Sequence, residues 1–236
     1  MSTTSLPVEA ARFAAPALPD PLPEDPLPLL AAWLEEAKRA ALAPNPDAMA
    51  LATARPDGRP SARIVLCKGL DVQRGFAVFY TNYGSRKAAE LEANPRAAGV
   101  FHWDHLGRQA RIEGSVERSP AEESDAYFAS RPLLSQLGAW ASEQSKPLDA
   151  RFKLMDRLGS VAARFGIGTG ENPGVRVPRP AHWGGYRIWI DTVELWVGGD
   201  FRLHDRAVWT RGRVGEASAG GAGPVWSRWS AVRRQP

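Results

Sequence analysis

The chain has 236 residues, 44% of them hydrophobic and 24% charged, enough to bury one sizeable core and ordinary for a folded domain. Its net charge of +4 leaves a basic surface for phosphates, nucleic acid or acidic partners without choosing among them. The single cysteine, Cys67, excludes an internal disulfide framework and favours a reducing compartment, by default the cytoplasm; no run approaches the roughly 18 apolar residues of a membrane span, and the first residues lack the pattern of a secretory leader.

Seven of the 20 prolines fall within residues 1–28, which predicts a mobile arm ahead of a single domain over residues 29–236. From residue 29, LLAAWLEEAKRAAL has helical spacing, with Leu30, Trp33, Leu34 and Ala37 on one face and a stop before Pro44. Short antiparallel strands follow at AMALATA, SARIVLCK and GFAVFYT, with PDGR as a turn. SRKAAELEAN reads as a short helix, and AAGVFHW and QARIEGSVE as strands. SPAEESDAYFAS is expected to open a helix through a capping box, with Ser119 as N-cap, Pro120 at the first position and Glu122 at the third. Helical patterns over 133–142 and 148–165 precede the loop GIGTGENPGVRVPRP, after which strands return at GYRIWID, TVELWV, FRLHDRAVWT and VWSRWSAV. This meander, interrupted by helices without βα alternation, predicts a mainly β fold with α elements: a small antiparallel barrel with helices packed outside.

Several polar groupings stand out, each with an ordinary alternative. Ser85 is placed to cap a helix whose first turn carries Arg86 and Lys87, charges that oppose the helix dipole unless an anion binds there; two solvated cations are the plain alternative. Arg63 and Lys68 lie on the next basic strand. Tyr127, Ser130, Arg131, Ser135, Gln144 and Ser145 surround a helix break at Arg131-Pro132 and can hold a phosphate by directed hydrogen bonds, or merely form a polar turn. As a strand, FRLHDR sends Arg202, His204 and Arg206 to one face, aimed at an anionic ligand or paired with a neighbouring carboxylate such as Glu194. GIGTG lacks the strand-turn-helix context of a dinucleotide site, HWDH lacks further metal ligands, and Cys67 reads as a packing residue; no metal is expected.

Taken together and in order, RIVLCK, FYTNYGSRK, RQARIEG, YFASRPLLSQLGAWASEQS, WGGYRI and ELWVGGDFRLHDR resemble the pyridoxamine 5'-phosphate oxidase family of FMN enzymes, over a stretch from about residue 25 to the end. The resemblance implies a split β-barrel homodimer with FMN at the subunit interface. It implies FMN contacts from Arg63, Ile64, Val65, Leu66, Cys67, Lys68, Tyr80, Thr81, Arg86, Lys87 and Gln109, completed from the partner chain by Gln144, Ser145, Trp196 and Arg206. It implies substrate contacts from Lys68, Tyr127, Arg131, Ser135, Arg202, Leu203 and His204, with Arg202 and His204 nearest the chemistry. The implied reaction is oxidation of pyridoxamine or pyridoxine 5'-phosphate by oxygen to pyridoxal 5'-phosphate, with hydrogen peroxide formed; neither nucleic acid nor membrane is an implied partner.

The chain departs from the family pattern in four places. The arm shows Arg12-Phe13 without the tyrosine of the usual Arg-x-x-Tyr, Asn45 replaces a common acidic residue, Arg234 follows Arg233 where leucine is usual, and GEASAGGAGP looks longer than the usual final turn. Two rival readings remain: a related split-barrel flavoprotein of the phenazine-biosynthesis type, and a non-enzymatic basic barrel that binds nucleic acid through its cations and tryptophans.

Overall fold

The computed structural model describes residues 17–168, 174–216 and 223–236. Among the described residues ten strands and five α-helices follow one another: α1 (Leu27–Ala40), β1 (Ala48–Ala54), β2 (Pro60–Asp71), β3 (Phe76–Asn82), α2 (Arg86–Ala93), β4 (Arg96–Trp103), β5 (Arg108–Arg118), α3 (Ala121–Ser130), α4 (Leu133–Ala141), α5 (Arg151–Arg164), β6 (Trp183–Val197), β7 (Asp205–Thr210), β8 (Arg213–Glu216), β9 (Pro224–Trp226) and β10 (Ser230–Arg234). The order β6-β3-β2-β1-β4-β5 closes on itself through pairing of β5 with β6, so six antiparallel strands form a barrel, and β7 and β10 extend from β6. The expected mainly β barrel with surrounding helices is thus what the chain adopts.

Alternation makes the barrel two-sided. Met49 and Leu51 on β1, Ala110 and Ile112 on β5, Val193 and Leu195 on β6 and Ala207 and Trp209 on β7 all point into one core. α1 adds Leu30, Trp33, Leu34 and Ala37 to that core, the face its spacing predicts. β6 serves both halves: β5 pairs with it from Tyr186 to Val197, while its other edge takes β3 at Trp183–Trp189 and β7 at Thr192–Val197. At the changeover β6 bulges, leaving Asp191 unpaired opposite Glu113 and Gly114 of β5. A side chain at Gly114 would run into the Trp189 carbonyl, so the bulge requires glycine.

Three expectations need correction. The proline-rich stretch is packed over its last dozen residues: α1 already starts at Leu27, Leu18 is buried, the Trp209 indole donates to Pro23 O at 2.8 Å, and the Leu18 amide donates to Asp205 at 2.8 Å. Apolar leucines between the prolines supply the contact area; residues 1–16 lie outside the described ones. Ser119 does not cap α3, because its amide is still bonded to Gly185 O of β6 at 2.9 Å; its hydroxyl is buried without a partner, and Pro120 occupies the cap position. Finally, FRLH is not strand. Asp200–Arg202 form a 3₁₀ turn with Phe201 and Arg202 at φ of 55° and 66°, and β7 begins only at Asp205. The Gly198-Gly199 pair ends β6 early, so Arg202 and His204 leave the sheet and only Arg206 stands on a strand face. The segments expected as single strands over 201–210 and 225–232 are likewise divided, the second between β9 and β10. The last two residues of GIGTG and the middle of GEASAGGAGP fall in the gaps between the described residues.

Gly114→Ala is expected to lower stability by about 1–3 kcal/mol, the usual cost of forcing atoms into packed backbone, and urea denaturation of the two proteins measures it.

Candidate active site

The richest polar cluster forms where β2, β3 and the start of α2 meet. Ser85 caps α2, accepting from the Ala88 amide at 3.4 Å, and this places Lys87 in the first helical turn with its side chain buried. The Lys87 ammonium donates to Gln144 Oε1 at 2.7 Å, Thr81 Oγ1 at 3.0 Å and Ser85 Oγ at 3.3 Å. Burial, and then the nearby Arg63 charge, push its pKa down to about 8. Arg63 points to the same side, donating to Leu51 O at 3.2 Å, Thr53 Oγ1 at 2.6 Å, Ser61 and Glu90. Arg86 turns along the helix to Glu90, at 2.8 Å, rather than over its N-terminus.

Glu90 is the counterweight. Its carboxylate is 4% exposed, accepts from Thr53 at 2.5 Å and Ser61 at 2.6 Å, and lies within 4.0 Å of Arg55, Arg63 and Arg86. Burial alone would raise its pKa; the bonds from Ser61, Thr53, Arg86 and Arg63 outweigh that and hold it at about 2. One carboxylate therefore faces three guanidiniums, the Lys87 ammonium nearby has only neutral partners, and the surplus positive charge suits an anion.

A second group sits between β3, β6 and the α3-α4 junction. Tyr80 stacks on Tyr127 at 3.9 Å and on Trp183 at 5.5 Å between ring centres. The Arg131 guanidinium lies 4.6 Å above Trp183 and 5.6 Å from Phe128, and its Nη1 is buried without a hydrogen-bond partner. Burial lowers its pKa, against a smaller opposing effect of Tyr127. Arg131 and Gln144 line one cavity of about 160 Å³ with Asn82 and Ser142, so the two groups adjoin. Ser145 beside it adopts φ of 71°, a left-handed conformation costly for serine.

A third set lies on the outer face of the sheet. Gln109, Trp196 and Arg206 are register partners across β5, β6 and β7. Arg206 Nη2 and Arg111 Nη2 both reach Glu194 at 2.9 Å, the pairing that was the plain alternative for FRLHDR, yet Arg206 Nε remains buried and unpartnered. His204 packs on Trp196 at 4.6 Å and accepts the Gly199 amide at Nδ1, 3.2 Å away. Arg202 and Leu203 are exposed beside it.

Family comparisons fit this arrangement. The family described as "Pyridoxamine 5'-phosphate oxidase" matches residues 34–157, and "Pyridoxine 5'-phosphate oxidase C-terminal dimerisation region" matches residues 183–236. The chain belongs to the pyridoxine/pyridoxamine 5'-phosphate oxidase family. A relative of that name from Rubrobacter xylanophilus is 52% identical over 90% of this chain and 87% of its own, and one from Gluconobacter oxydans is 53% identical over 80% and 90%. Among solved structures, PhzG from Burkholderia lata 383, in complex with tetrahydrophenazine-1-carboxylic acid, superposes with a TM-score of 0.76 at 31% identity, covering 92% of this chain and 95% of its own. A pyridoxamine 5'-phosphate oxidase-related, FMN binding protein from Nostoc punctiforme shares the fold, with a TM-score of 0.62 at 15% identity, covering 89% and 97%. The chain is thus an oxidase-family split barrel that forms a homodimer.

Of the family residues expected from the sequence, Arg63, Thr81, Lys87 and Gln144 come together within one chain, so Gln144 does not need the partner subunit to reach the cluster. Tyr80, Tyr127 and Arg131 form the second group. Lys68 stands apart, paired with Asp47 at 2.6 Å, and lines a cavity of about 590 Å³ that also reaches Tyr80. Ser135 is half-buried with no side-chain bond. Val65 and Cys67 point into the core, where burial first of all pushes the thiol up to about 11, so only their backbone can face a ligand, whereas Ile64 and Leu66 point outward. Sequence reasoning missed Glu90, Thr53 and Ser61; the one signal available was the i,i+4 spacing of Arg86 and Glu90.

Glu90→Gln should cost about 1.5–3 kcal/mol at pH 7, the range for charged hydrogen bonds. Because the folded-state pKa lies below the usual 4.5, this contribution is complete above about pH 4.5 and fades toward pH 2; the gap between the two proteins in urea melts is expected to narrow accordingly.

Proposed function

We propose that this chain is an FMN-dependent oxidase that converts pyridoxamine 5'-phosphate and pyridoxine 5'-phosphate to pyridoxal 5'-phosphate in the cytoplasm. The observation that carries the reading is a cluster of cations short of carboxylates adjoining a buried, unpaired arginine, suited to two different phosphates. The Arg63–Lys87 cluster fits the cofactor phosphate: Lys87 is held partly against its own charge, and an anion beside it and Arg63 removes that penalty. Arg131, with a buried unfilled donor, fits the substrate phosphate, joined by Tyr127, Ser135 and Lys68 once Lys68 leaves Asp47.

When bound, FMN would supply the two-electron acceptor for oxidation at the substrate C4' carbon, with oxygen as final acceptor and hydrogen peroxide as product, and water would hydrolyse the imine formed from the amine to release ammonia. The protein's part is to bind and orient. The main chain of residues 64–67 with Lys68, and Tyr80, Thr81, Arg86, Gln109, Gln144 and Ser145, would flank the cofactor. Trp196 and the unpaired Arg206 Nε would close it from the partner subunit, Arg206 offering positive charge where the reduced ring gains negative charge. Arg202, Leu203 and His204 would flank the substrate ring. The Gly199 amide fixes His204 as the Nε2–H tautomer, with that proton directed away from the backbone. A surface that dimerisation could use is one outward register row in which Ile64, 65% exposed, and Val232, 46% exposed, flank Ala50, Val100, the Arg111–Glu194 pair and Val208. Among the described residues no helix is long and apolar enough to cross a membrane.

The likeness to PhzG favours one second reading, an oxidase of another reduced ring. An absorption spectrum separates the two: flavin bands that bleach on anaerobic addition of pyridoxamine 5'-phosphate and return with air are expected, whereas bands that persist would point to a PhzG-like substrate. Binding of FMN is also expected to weaken above about pH 8, up to tenfold per pH unit, as Lys87 loses its proton in the free protein. Fluorescence titration from pH 7 to 9.5 tests this, and Lys87→Met should bind weakly at every pH with no inflection at 8.

A further inference from the structure

Arg131 presents an unusual problem of support. Its guanidinium is pressed on Trp183 and Phe128, and its Nη1 is buried with no acceptor, so no carboxylate of the described chain holds it in place. It also sits at a break: the backbone turns extended at Arg131, with φ of −74° and ψ of 149°, because Pro132 follows, and α4 starts one residue later. A residue in such a hinge keeps its direction only if the main chain around it is tied down.

Gln136 supplies the tie. Its side chain is buried, and its Nε2 donates to the Arg131 carbonyl at 2.8 Å and to the Ala129 carbonyl at 3.4 Å. These are carbonyls at and beyond the last turn of α3, of the kind that helix ends leave without partners. The Gln136 amide accepts nothing from Arg131's side chain, so it leaves the guanidinium donors open. It is anchored in turn by α4, where its own amide bonds to Pro132 O at 3.1 Å. We propose that Gln136 is a positioning residue for substrate phosphate, acting through Arg131 by pinning the backbone of the α3-α4 junction. This rests on the assignment of Arg131 to the substrate phosphate in the preceding section.

The test uses the flavin-loaded dimer and pyridoxine 5'-phosphate. Gln136→Met keeps the volume and removes the donor; Gln136→Glu keeps the shape and replaces the donor with an acceptor facing two carbonyls. Both variants are expected to raise KM about tenfold, with kcat changed by less than about twofold and the same FMN content and melting temperature within a few degrees. In an Arg131→Ala background Gln136→Met should add almost nothing, since its effect passes through that guanidinium. Calorimetric titration with pyridoxal 5'-phosphate reads the same loss as weaker binding, independently of turnover. If wild-type protein neither oxidises the ester nor binds pyridoxal 5'-phosphate, the functional reading falls and this role with it. If wild-type protein does both while Gln136→Met keeps its KM, or if the Gln136 and Arg131 effects multiply independently, the positioning role alone is overturned. A variant that loses flavin and melting temperature together with KM would show a merely structural glutamine.

Discussion

Strand β6 is the constraint from which the rest of the architecture takes its register. Most strands share their two edges between two neighbours; β6 shares its edges among three, with β5 along one side and β3 then β7 along the other. The changeover near Asp191 lets one continuous strand belong both to the closed barrel and to the β7–β10 extension. Its cost is local: β6 carries Asp191 as an extra, unpaired residue opposite β5, and Gly114 must stay without a side chain where the backbones touch. In return, one strand carries Trp183 to the aromatic stack and Trp196 to the outer row. The residues this chain offers to its own proposed site and to its partner's are therefore set by a single ladder of backbone bonds rather than by separate loops.

Charge is distributed over this frame unevenly, and the unevenness is informative. At the outer row, Glu194 is shared by Arg111 and Arg206, and Glu113 also pairs with Arg111, so two carboxylates meet two guanidiniums. At α2, Glu90 is shared among Arg55, Arg63 and Arg86, leaving Lys87 with only neutral oxygens for partners. At the α3-α4 junction Arg131 has aromatic faces in place of a carboxylate. A buried cation without a counterion is costly in the absence of ligand, and it persists where a ligand anion completes it. The gradient from paired to unpaired cations thus runs from the outer sheet face toward the adjoining Lys87 and Arg131 sites.

Most of the fold was legible because its elements obey simple periods. Alternation marks β1 and β5, a 3.6-residue stripe marks α1, and Ser85 caps α2 as its chemistry demands. Where the reading failed, tertiary bonding overrode a local signal. Ser119-Pro120-Glu122 has the form of a capping box, but Ser119 is claimed by β6 first. FRLHDR alternates like a strand, but the two glycines before it permit a turn that no alternation rule anticipates. The proline-rich stretch has the composition of a disordered arm, yet Leu18 and Leu27 find the core. The site followed the same logic: order of motifs gave its members, but Glu90's role depends on strand residues 29 and 37 positions away in sequence, and Gln144's on contacts across about 60. Long-range pairing of that kind leaves no periodic trace.

The difference between the two enzymatic readings comes down to how much negative charge the second site is built to receive. The ligand of PhzG carries a carboxylate, one charge spread over two oxygens. A phosphate monoester carries about −1.5 to −2 at neutral pH and three acceptor oxygens. On this chain, Arg131 offers an unfilled buried donor, and Tyr127 and Ser135 stand beside it on the same pair of helices. Lys68 is held by Asp47 with its side chain about a quarter exposed, so its exchange from carboxylate to phosphate needs only a modest rearrangement of a partly solvated pair. A single carboxylate would satisfy Arg131 and leave Lys68 with no reason to leave Asp47. In the proposed reading a dianion would draw both, and the aromatic wall of Tyr80, Tyr127 and Trp183 would give it a low-dielectric side against which each charged hydrogen bond gains strength.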